Sequence, residues 1–387
     1  MQAHQRRLIA TIFALTLMVG VGTSTMPPAL AAVQQHFGIS PDVAGILLAV
    51  FTLPGLVLTP VLGYIADRIG RRVVVVSSLV IFTGAGAAAL LAEHFGHLIV
   101  VRLVQGVGAA SLGALNVALI SDFFTGTERV RLLGFNHSVL SIGTALLPVV
   151  SGWLAALQWR LPFALPLVGI LVAAAVLAWI PPVHHTSAPG EHGSSPSQPS
   201  TLPWRQLGLL LAISIVTYAL LFGPFLNYVQ ERIRLLDPTA PKLYERIGVM
   251  VGLMSVATTI GALFVGRLAK RLSLAVLVQC ACALYAAALV LFMLMPSYAF
   301  LVVPTIVFGL AQAINQPVVQ SLVAALSPPE RSGTILSLNR AAALVGQTAG
   351  PLIFGAVYRA GGVDAVFWVG AGLAVGCVVA LRRFGGT

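Results

Sequence analysis

Long apolar runs separated by short polar connections occupy almost the whole chain of 387 residues. An α-helix needs about 20 apolar residues to cross the hydrocarbon core of a bilayer, and each run is long enough to do so. Charged residues make up only 9% of the sequence, whereas soluble proteins carry about 25%. So little charge cannot cover a soluble surface, and the sequence therefore predicts an all-α membrane protein. The runs define twelve predicted spans, at 8–33, 42–66, 73–93, 98–122, 131–157, 161–181, 204–229, 243–268, 273–295, 298–325, 332–358 and 363–381.

The first apolar run follows Arg6 and Arg7 and has some features of a secretory signal peptide. A signal peptide, however, has an apolar core of about 7–15 residues and is not followed by many further spans. This run extends over 8–32 and eleven more follow it. We therefore interpret it as span 1, a membrane helix that is not cleaved.

One long polar stretch, 182–203, divides the runs into two sets of six. It is rich in Ser, Pro and Gly and lacks apolar periodicity, which is typical of a flexible linker. The sequence thus predicts an N-terminal six-helix bundle at 1–181, a cytoplasmic linker at 182–203 and a C-terminal six-helix bundle at 204–387. Histidines in linkers usually have no specific role, so we predict no metal site from His184, His185 and His192.

The net charge of +11 comes largely from Lys and Arg residues that lie between the apolar runs. In a soluble protein this charge would suggest nucleic-acid binding, but the cytoplasmic loops of membrane proteins carry an excess of basic residues. With the N-terminus in the cytoplasm, fourteen of the 22 Lys and Arg residues fall in cytoplasmic segments and six fall outside. The sequence therefore predicts that both termini are cytoplasmic, in a bacterial inner membrane, and that nucleic acid is not a partner.

The two halves of the sequence repeat each other. Matched positions lie 203 residues apart and include Gly63 with Gly266, Gly106 with Gly309, Asn136 with Asn339, Gly143 with Gly346, and Pro148 with Pro351. Six spans separate the matched positions, and because this number is even, the two halves have the same orientation in the membrane. Parallel repeats of this kind are an architecture of secondary transporters.

A charged segment, residues 63–72, connects spans 2 and 3. The small residue Gly63 at its start lets two helices approach closely. Asp67 ends one helix, and the arginines that follow begin the cytoplasmic turn. These residue types predict a charged latch at a helix–helix junction, formed by Gly63, Asp67, Arg68, Gly70, Arg71 and Arg72.

This segment resembles the signature loop of the major facilitator superfamily, and the resemblance extends over the whole chain. In that family the aspartate and arginines of the loop pair with neighbouring helix ends and stabilise the outward-open state. We expect Asp122, at the end of span 4, and Arg131 to belong to the same latch; the less favoured alternative is that Asp122 is a solvated helix end. The second-half copy has Lys270 in place of the aspartate and Ser273 in place of the glycine, so it is not expected to form the latch.

Arg102 lies within span 4, in the segment 102–108, which resembles a second motif of the family. In the family this arginine is linked to proton coupling. An arginine inside the membrane must find a partner or water. The alternative is that Arg102 reaches to the outer interface, because it is only about five residues into the predicted span.

Span 5 contains glycines and a proline in a pattern that is similar to the glycine–proline motif of the family's antiporters, which are exporters. Two glycines of that motif are replaced, by Leu147 and Ser151. The resemblance implies an exporter, whereas general helix packing is the alternative explanation. The motif residues are Gly134, Gly143, Pro148 and Gly152 in span 5 and Gly346, Gly350, Pro351 and Gly355 in span 11.

Spans 1, 4, 7 and 10 line the central cavity in the family. Here they carry scattered amides and hydroxyls among apolar residues, which suits a lipophilic or amphipathic substrate. The alternative is that the polar groups form hydrogen bonds between helices. We also expect prolines 27–28, 224 and 317 to interrupt spans 1, 7 and 10. The candidate cavity residues are Met26, Asn116, Tyr218, Asn227, Gln312, Asn315 and Gln316.

Together these features predict a secondary active transporter, in particular a monomeric, proton-coupled exporter of hydrophobic or amphipathic small molecules. The sequence places no acidic residue in the middle of a span, so the candidates for proton coupling are Arg102, Glu231, Asp122 and His137. Alternatives are efflux of a specific metabolite, such as a siderophore, sugar or lipid-like molecule, or a receptor or scramblase that does not transport. We find no enzyme motif and predict no cofactor.

Overall fold

A computed structural model describes residues 3–181, 203–238, 242–328 and 332–384, which are helical and contain no β-strand. The predicted linker therefore lies outside the described residues, apart from Pro203. Spans 1 to 6 are formed by Ala3–Ser24 with Met26–Phe37, Pro41–Ile69, Arg71–Leu90, Phe95–Ala109 with Leu112–Phe123, Gly126–Leu157, and the 3-10 segment Leu161–Val168 with Gly169–Trp179. Spans 7 to 10 are formed by Trp204–Leu220 with the π-helical Leu221–Tyr228 and Val229–Leu236, Leu243–Leu268, Leu274–Leu294, and the 3-10 turn Tyr298–Leu301 with Val302–Ala325.

Spans 11 and 12 lie in one continuous helical stretch, Ser332–Phe384. Eleven helices in the described part of the chain are long and apolar enough to cross a membrane, and the last of these covers 50 residues, Gly333–Arg382. Such a helix would be about 75 Å long, more than twice the thickness of a hydrocarbon core. The backbone leaves helical geometry at Gly361 and at Gly362, where φ is 71° and favours glycine. The stretch therefore contains two spans, and the prediction of twelve spans is confirmed.

The chain forms two compact units. The first consists of Met1–His185 with Thr239–Gly252, and the second of Thr186–Pro238 with Leu253–Thr387. The N-terminal part of span 8 belongs to the first unit because its glycines pack on span 5. A Cβ atom at Gly248 would collide with the carbonyl oxygen of Pro148, and one at Gly252 would lie 2.6 Å from the carbonyl oxygen of Ala145. Glycine at both positions thus permits close contact between the two helix backbones.

Each unit has its own apolar core. In the first unit, buried side chains of spans 1, 3 and 4 form the centre of the cluster, for example Leu15, Phe82 and Leu115. In the second unit, spans 7, 9 and 10 contribute residues such as Ile213 and Val319. Many apolar side chains outside these cores remain exposed on the helices, as expected for surfaces that face lipid rather than water.

The repeat seen in the sequence is also present in the packing. A Cβ atom at Gly106 would collide with the carbonyl oxygen of Phe51, so span 4 contacts the backbone of span 2. In the second half, a Cβ atom at Gly309 would lie 2.6 Å from the carbonyl oxygen of Met254, where span 10 contacts span 8. Gly309 and Met254 each follow their counterparts by 203 positions. The two halves therefore use the same close helix contact, which supports a pseudo-symmetric pair of six-helix bundles.

Spans 1, 4 and 7 are interrupted, but span 10 is not. Span 1 breaks at Thr25, before its two prolines, and span 7 forms a π-helix that contains Pro224. Span 4 breaks at Ala110 and Ser111, although the sequence has no proline there. The expectation that Pro317 interrupts span 10 is wrong, because Val302–Ala325 continues through it. A single proline removes only one backbone hydrogen bond, which a membrane helix can tolerate.

Candidate functional site

A charged cluster lies where span 2 meets span 3. One guanidinium nitrogen of Arg71 lies 2.5 Å from Oδ1 of Asp122, and the other lies 3.3 Å from Oδ1 of Asp67. The side chain of Asp122 is 6% exposed, whereas that of Asp67 is 57% exposed. Gly70, with φ at 97°, connects the two helices without an intervening loop and so places Arg71 at the start of span 3. The structure thus brings both predicted aspartates to one arginine.

The other predicted latch residues do not join this cluster. The guanidinium of Arg68 lies 4.4 Å from the ring centre of Tyr64, and that of Arg131 lies 5.4 Å from the ring centre of Phe135. Arg72 donates a hydrogen bond to the carbonyl oxygen of Leu177 in span 6. Gly63 does not form the predicted close helix contact, since no described atom lies within 4 Å of a Cβ placed there.

The second-half copy of the loop has a different backbone. Span 8 ends at Leu268 and span 9 begins at Leu274, where Ser273 accepts a capping hydrogen bond from the backbone of Val276. No ion pair involving Lys270 occurs among the residues that the structure describes. The position 203 residues after Asp122 is Ala325, so the second half lacks both acidic partners.

Arg102 is buried inside the first unit. Its exposed fraction is 3%, so it does not reach to the interface as the alternative interpretation required. It donates hydrogen bonds to Oε1 of Gln105 at 2.6 Å and to the carbonyl oxygen of Gly22 at 3.0 Å. Its guanidinium also lies 4.1 Å from the ring centre of Phe51. Arg102 therefore connects spans 1, 2 and 4.

A small cleft lies beside Arg102, between spans 1, 4 and 6. The prolines of the 3-10 segment in span 6 form one wall, and the break in span 1 forms another. The cleft has space for about one water-sized particle. Its lining residues are Val21, Thr25, Met26, Ala29, Arg102, Gln105, Pro162, Phe163 and Pro166. Met26, a predicted cavity residue, thus lies next to Arg102.

In the glycine–proline motif of span 5, three of the four residues make close contacts. A Cβ atom at Gly143 would lie 2.8 Å from the Leu17 side chain of span 1, and one at Gly152 would collide with the carbonyl oxygen of Tyr244. Pro148 contacts Gly248, as described above. Gly134 is exposed, and a Cβ there would meet no described atom within 4 Å. The motif therefore packs span 5 on span 1 and on the start of span 8.

The span 11 copy of the motif packs on span 7. A Cβ atom at Gly346 would collide with the carbonyl oxygen of Ile215, and one at Gly350 would lie 2.8 Å from the Cα atom of Ala219. Pro351 and Gly355 are buried in the following turns. In the second unit, the backbone of span 11 thus contacts the backbone of span 7. In the first unit, by contrast, Gly143 of span 5 contacts the Leu17 side chain of span 1.

The predicted cavity residue Asn116 belongs to a hydrogen-bond cluster in the first unit. Its Nδ2 atom donates to the carbonyl oxygen of Ile12 and to the hydroxyl of Thr16, both at 2.9 Å. Thr16 in turn donates to Oδ1 of Asn136. One hydroxyl of span 1 therefore connects the amides of spans 4 and 5.

The second unit contains a similar cluster. Nδ2 of Asn315 donates to the hydroxyl of Thr217 at 3.1 Å, and Ser214 donates to Oδ1 of Asn339 at 2.7 Å. Asn136 and Asn339 are repeat partners and accept the same kind of bond. These amides form hydrogen bonds between helices, which is the alternative interpretation given for the polar residues in the sequence analysis.

The remaining predicted cavity residues lie on spans 7 and 10. Gln312 is buried and accepts a hydrogen bond from the hydroxyl of Tyr285 in span 9. Asn227 is fully buried in the π-helical segment, whereas Tyr218 and Gln316 are half-buried.

The candidates for proton coupling lie on spans 4, 5 and 7. Oε2 of Glu231 lies 4.0 Å from a guanidinium nitrogen of Arg234, near the end of span 7. His137 is exposed on span 5, and Asp122 belongs to the Arg71 cluster. Among the described residues of the first unit, no ion pair joins Arg102 to Asp122, and Glu231 belongs to the second unit.

Sequence reasoning missed the partners of Arg102. Gln105 lies three residues after Arg102, which places both side chains on the same face of the helix, and this spacing was available as a signal. Phe51 and the carbonyl group of Gly22 come from other spans, and nothing in the sequence connects them with Arg102.

Comparison with known proteins gives consistent matches. A model of the Major Facilitator Superfamily matches residues 12–241 and 236–385. Multidrug transporter protein MdtP of Bacillus subtilis (strain 168) is 32% identical over 127 residues, which are 32% of this chain and 24% of that protein. Protein spinster homolog 3 of Danio rerio is 26% identical over 277 residues, 67% of this chain and 55% of that protein. The crystal structure of a D-xylose-proton symporter aligns with a TM-score of 0.82 and 15% identity, covering 99% of this chain and 98% of that chain.

The two curated relatives align with this chain over about a quarter and about half of their own lengths. The likeness to the symporter concerns the fold alone, because the identity is low. The family model, in contrast, covers both halves of the chain, and the twelve spans and their repeated glycine contacts agree with it. The chain therefore belongs to the major facilitator superfamily.

Proposed function

We propose that the protein is a secondary active transporter that exports hydrophobic or amphipathic small molecules in exchange for protons. The observation that carries this proposal is the pair of glycine–proline helices, spans 5 and 11, each of which packs closely on the first helix of its own half. Glycines leave a helix surface without protruding side chains, and close contacts between such surfaces suit helices that shift during alternating access. The similarity to a multidrug transporter over part of the chain supports the same proposal.

The Arg71 cluster is proposed as a latch on the cytoplasmic side. Arg71 connects the end of span 2 with the end of span 4 through Asp67 and Asp122. Breaking these ion pairs would free the two helix ends to move relative to each other. The proposal includes a monomer in a bacterial inner membrane, with both termini and the linker at 182–203 in the cytoplasm between bundles at 1–181 and 204–387.

Proton coupling is proposed to involve Arg102, with Asp122 and Glu231 as candidate carboxylates. The test is transport of a lipophilic fluorescent cation by purified protein in proteoliposomes, with and without an imposed pH gradient. Faster transport with the gradient, abolished by a protonophore, is the expected result. Equal transport under both conditions would refute proton coupling but leave export itself intact.

Export of one specific metabolite is the second candidate function. It is favoured by the buried Oδ1 atoms of Asn116 and Asn315, which have no hydrogen-bond partner in the described part of the chain and suit the donors of one polar substrate better than a series of unrelated drugs. A screen of small molecules for stabilisation of the purified protein separates the two functions, since a bound ligand raises the melting temperature. Stabilisation by one chemical class would favour the metabolite, and weak stabilisation by several unrelated lipophiles would favour drug export.

A further inference from the structure

Arg102 is a buried cation that forms no ion pair with a carboxylate among the described residues. It lies seven residues into Phe95–Ala109, about 10 Å from the start of the helix. Among residues 3–181, 203–238, 242–328 and 332–384, no carboxylate oxygen lies within 4 Å of its guanidinium. An ionised group inside the membrane region is costly unless a charge of opposite sign or water accompanies it.

The neighbours of Arg102 only partly compensate its charge. Gln105 and the carbonyl oxygen of Gly22 accept hydrogen bonds as neutral groups, and the ring of Phe51 offers only the negative face of its quadrupole. Nε of Arg102 is buried and has no hydrogen-bond partner in the described part of the chain. One strong donor of the guanidinium is therefore unused.

The cleft next to Arg102 has the size and lining for a small anion. Its walls are mainly apolar, and none of its lining residues is acidic. The prolines at 162 and 166 cannot donate a backbone hydrogen bond, so Arg102 supplies the only charged donor among the lining residues. Nε2 of Gln105 makes only a long hydrogen bond, 3.5 Å to the carbonyl oxygen of Phe82, and can serve as a second donor.

We propose that the cleft formed by Arg102, Gln105, Thr25 and the prolines of span 6 is a binding site for one small monovalent anion. The ligand is a halide ion or a single carboxylate group, because one guanidinium balances one negative charge and the cleft has room for only a small group. The anion comes either from the solution or from a carboxylate of the transported molecule. This inference goes beyond the proposed export function and does not depend on it.

The test uses the full-length protein in detergent, and its melting temperature is measured at constant ionic strength. The reference buffer contains sodium gluconate, whose anion is too large for the cleft. In separate titrations, sodium bromide, sodium chloride or sodium acetate replaces the gluconate. Bromide, chloride or acetate should raise the melting temperature with a saturating, single-site dependence on concentration. Equilibrium dialysis with isotopic chloride should then give about one bound ion per chain. Equal melting temperatures in all four salts, with no bound chloride, would overturn the proposal.

Substitutions locate the site. Arg102→Gln should lower the affinity for the anion at least tenfold, and Arg102→Lys, which keeps the charge but loses the planar group, should lower it less. Arg160→Gln is the matched control. Arg160 is also partly buried and donates to a backbone oxygen, that of Ala92, but it lies outside the cleft. If Arg102→Gln does not fold, an undiminished anion response in Arg102→Lys together with a lost response in Arg160→Gln would contradict the assignment.

The salts also separate the two sources of the anion. A response to bromide and chloride alone supports a site for a dissolved ion. A response to acetate that competes with chloride supports a site for a carboxylate of the substrate. A response that all three anions share and that Arg102→Gln retains would place the anion elsewhere and refute the proposal.

Discussion

Arg71 and Asp122 form a close ion pair, with 2.5 Å between the guanidinium nitrogen and the carboxylate oxygen. The pair joins the start of span 3 to the end of span 4 and is largely shielded from water on the aspartate side. Asp67, the residue of the signature loop itself, makes a longer contact with the same arginine and is mostly exposed. The unequal burial of the two carboxylates leads to a ranking of their contributions.

Asp122→Asn should destabilise the protein more than Asp67→Asn does. Removing the buried carboxylate leaves the partly buried guanidinium of Arg71 without its nearer partner, at a cost of about 1–3 kcal/mol. An exposed pair contributes less than about 1 kcal/mol. Thermal unfolding of the purified variants checks this ranking. Equal loss of stability in both variants would mean that Asp67 is buried in the state that prevails in solution.

The two copies of the loop should differ in transport. Asp67→Asn removes one carboxylate from the Arg71 cluster, whereas Lys270→Gln alters a copy in which neither acidic partner is present. We therefore expect Asp67→Asn to reduce the initial rate of transport more than Lys270→Gln, with equal amounts of protein in the membrane. The reverse ranking would count against a latch in the first half.

Gly346→Ala should destabilise the second unit. Its new methyl group would collide with the carbonyl oxygen of Ile215, and forcing extra volume into a packed contact costs about 1–3 kcal/mol. Gly372→Ala in span 12 is the control, because no described atom lies within 4 Å of a Cβ there. That variant should be neutral or slightly more stable, since alanine favours a helix over glycine. A similar loss of stability in both variants would show that the effect is not specific to the contact with span 7.

Thr16→Val should weaken the first unit, since it keeps the shape of the side chain but removes its hydroxyl. The amides of Asn116 and Asn136 each lose a partner, at a cost of about 1–2 kcal/mol. A double-mutant cycle with Asn136→Ala measures the coupling between spans 1 and 5. Purely additive losses would indicate that the hydrogen bond between Thr16 and Asn136 contributes nothing to stability.

The sequence predicted the spans well because each is a long apolar run, and the structural ends lie within a few residues of the predicted ends for most of them. It also predicted that Asp122 lies near the signature loop, since two helix ends on the same side of a membrane can meet. The break in span 4 at Ala110 and Ser111 was not predicted, because it has no proline and the nearby Gly106 and Gly108 are explained by close helix contacts. The partners of Arg102 also escaped prediction, since a backbone carbonyl group and a phenyl ring carry no charge pattern that a single sequence reveals.

Exchange of substrate for protons is the central claim, and proton movement driven by substrate tests it most directly. Proteoliposomes are loaded with a lipophilic cation and a trapped pH indicator, then diluted into medium without substrate and without an imposed pH gradient. Outward movement of the cation should draw protons inward, so the account predicts that the interior becomes more acidic, and that protein-free liposomes do not show this change. Efflux of the cation at an unchanged internal pH, or with a more alkaline interior, would contradict proton exchange.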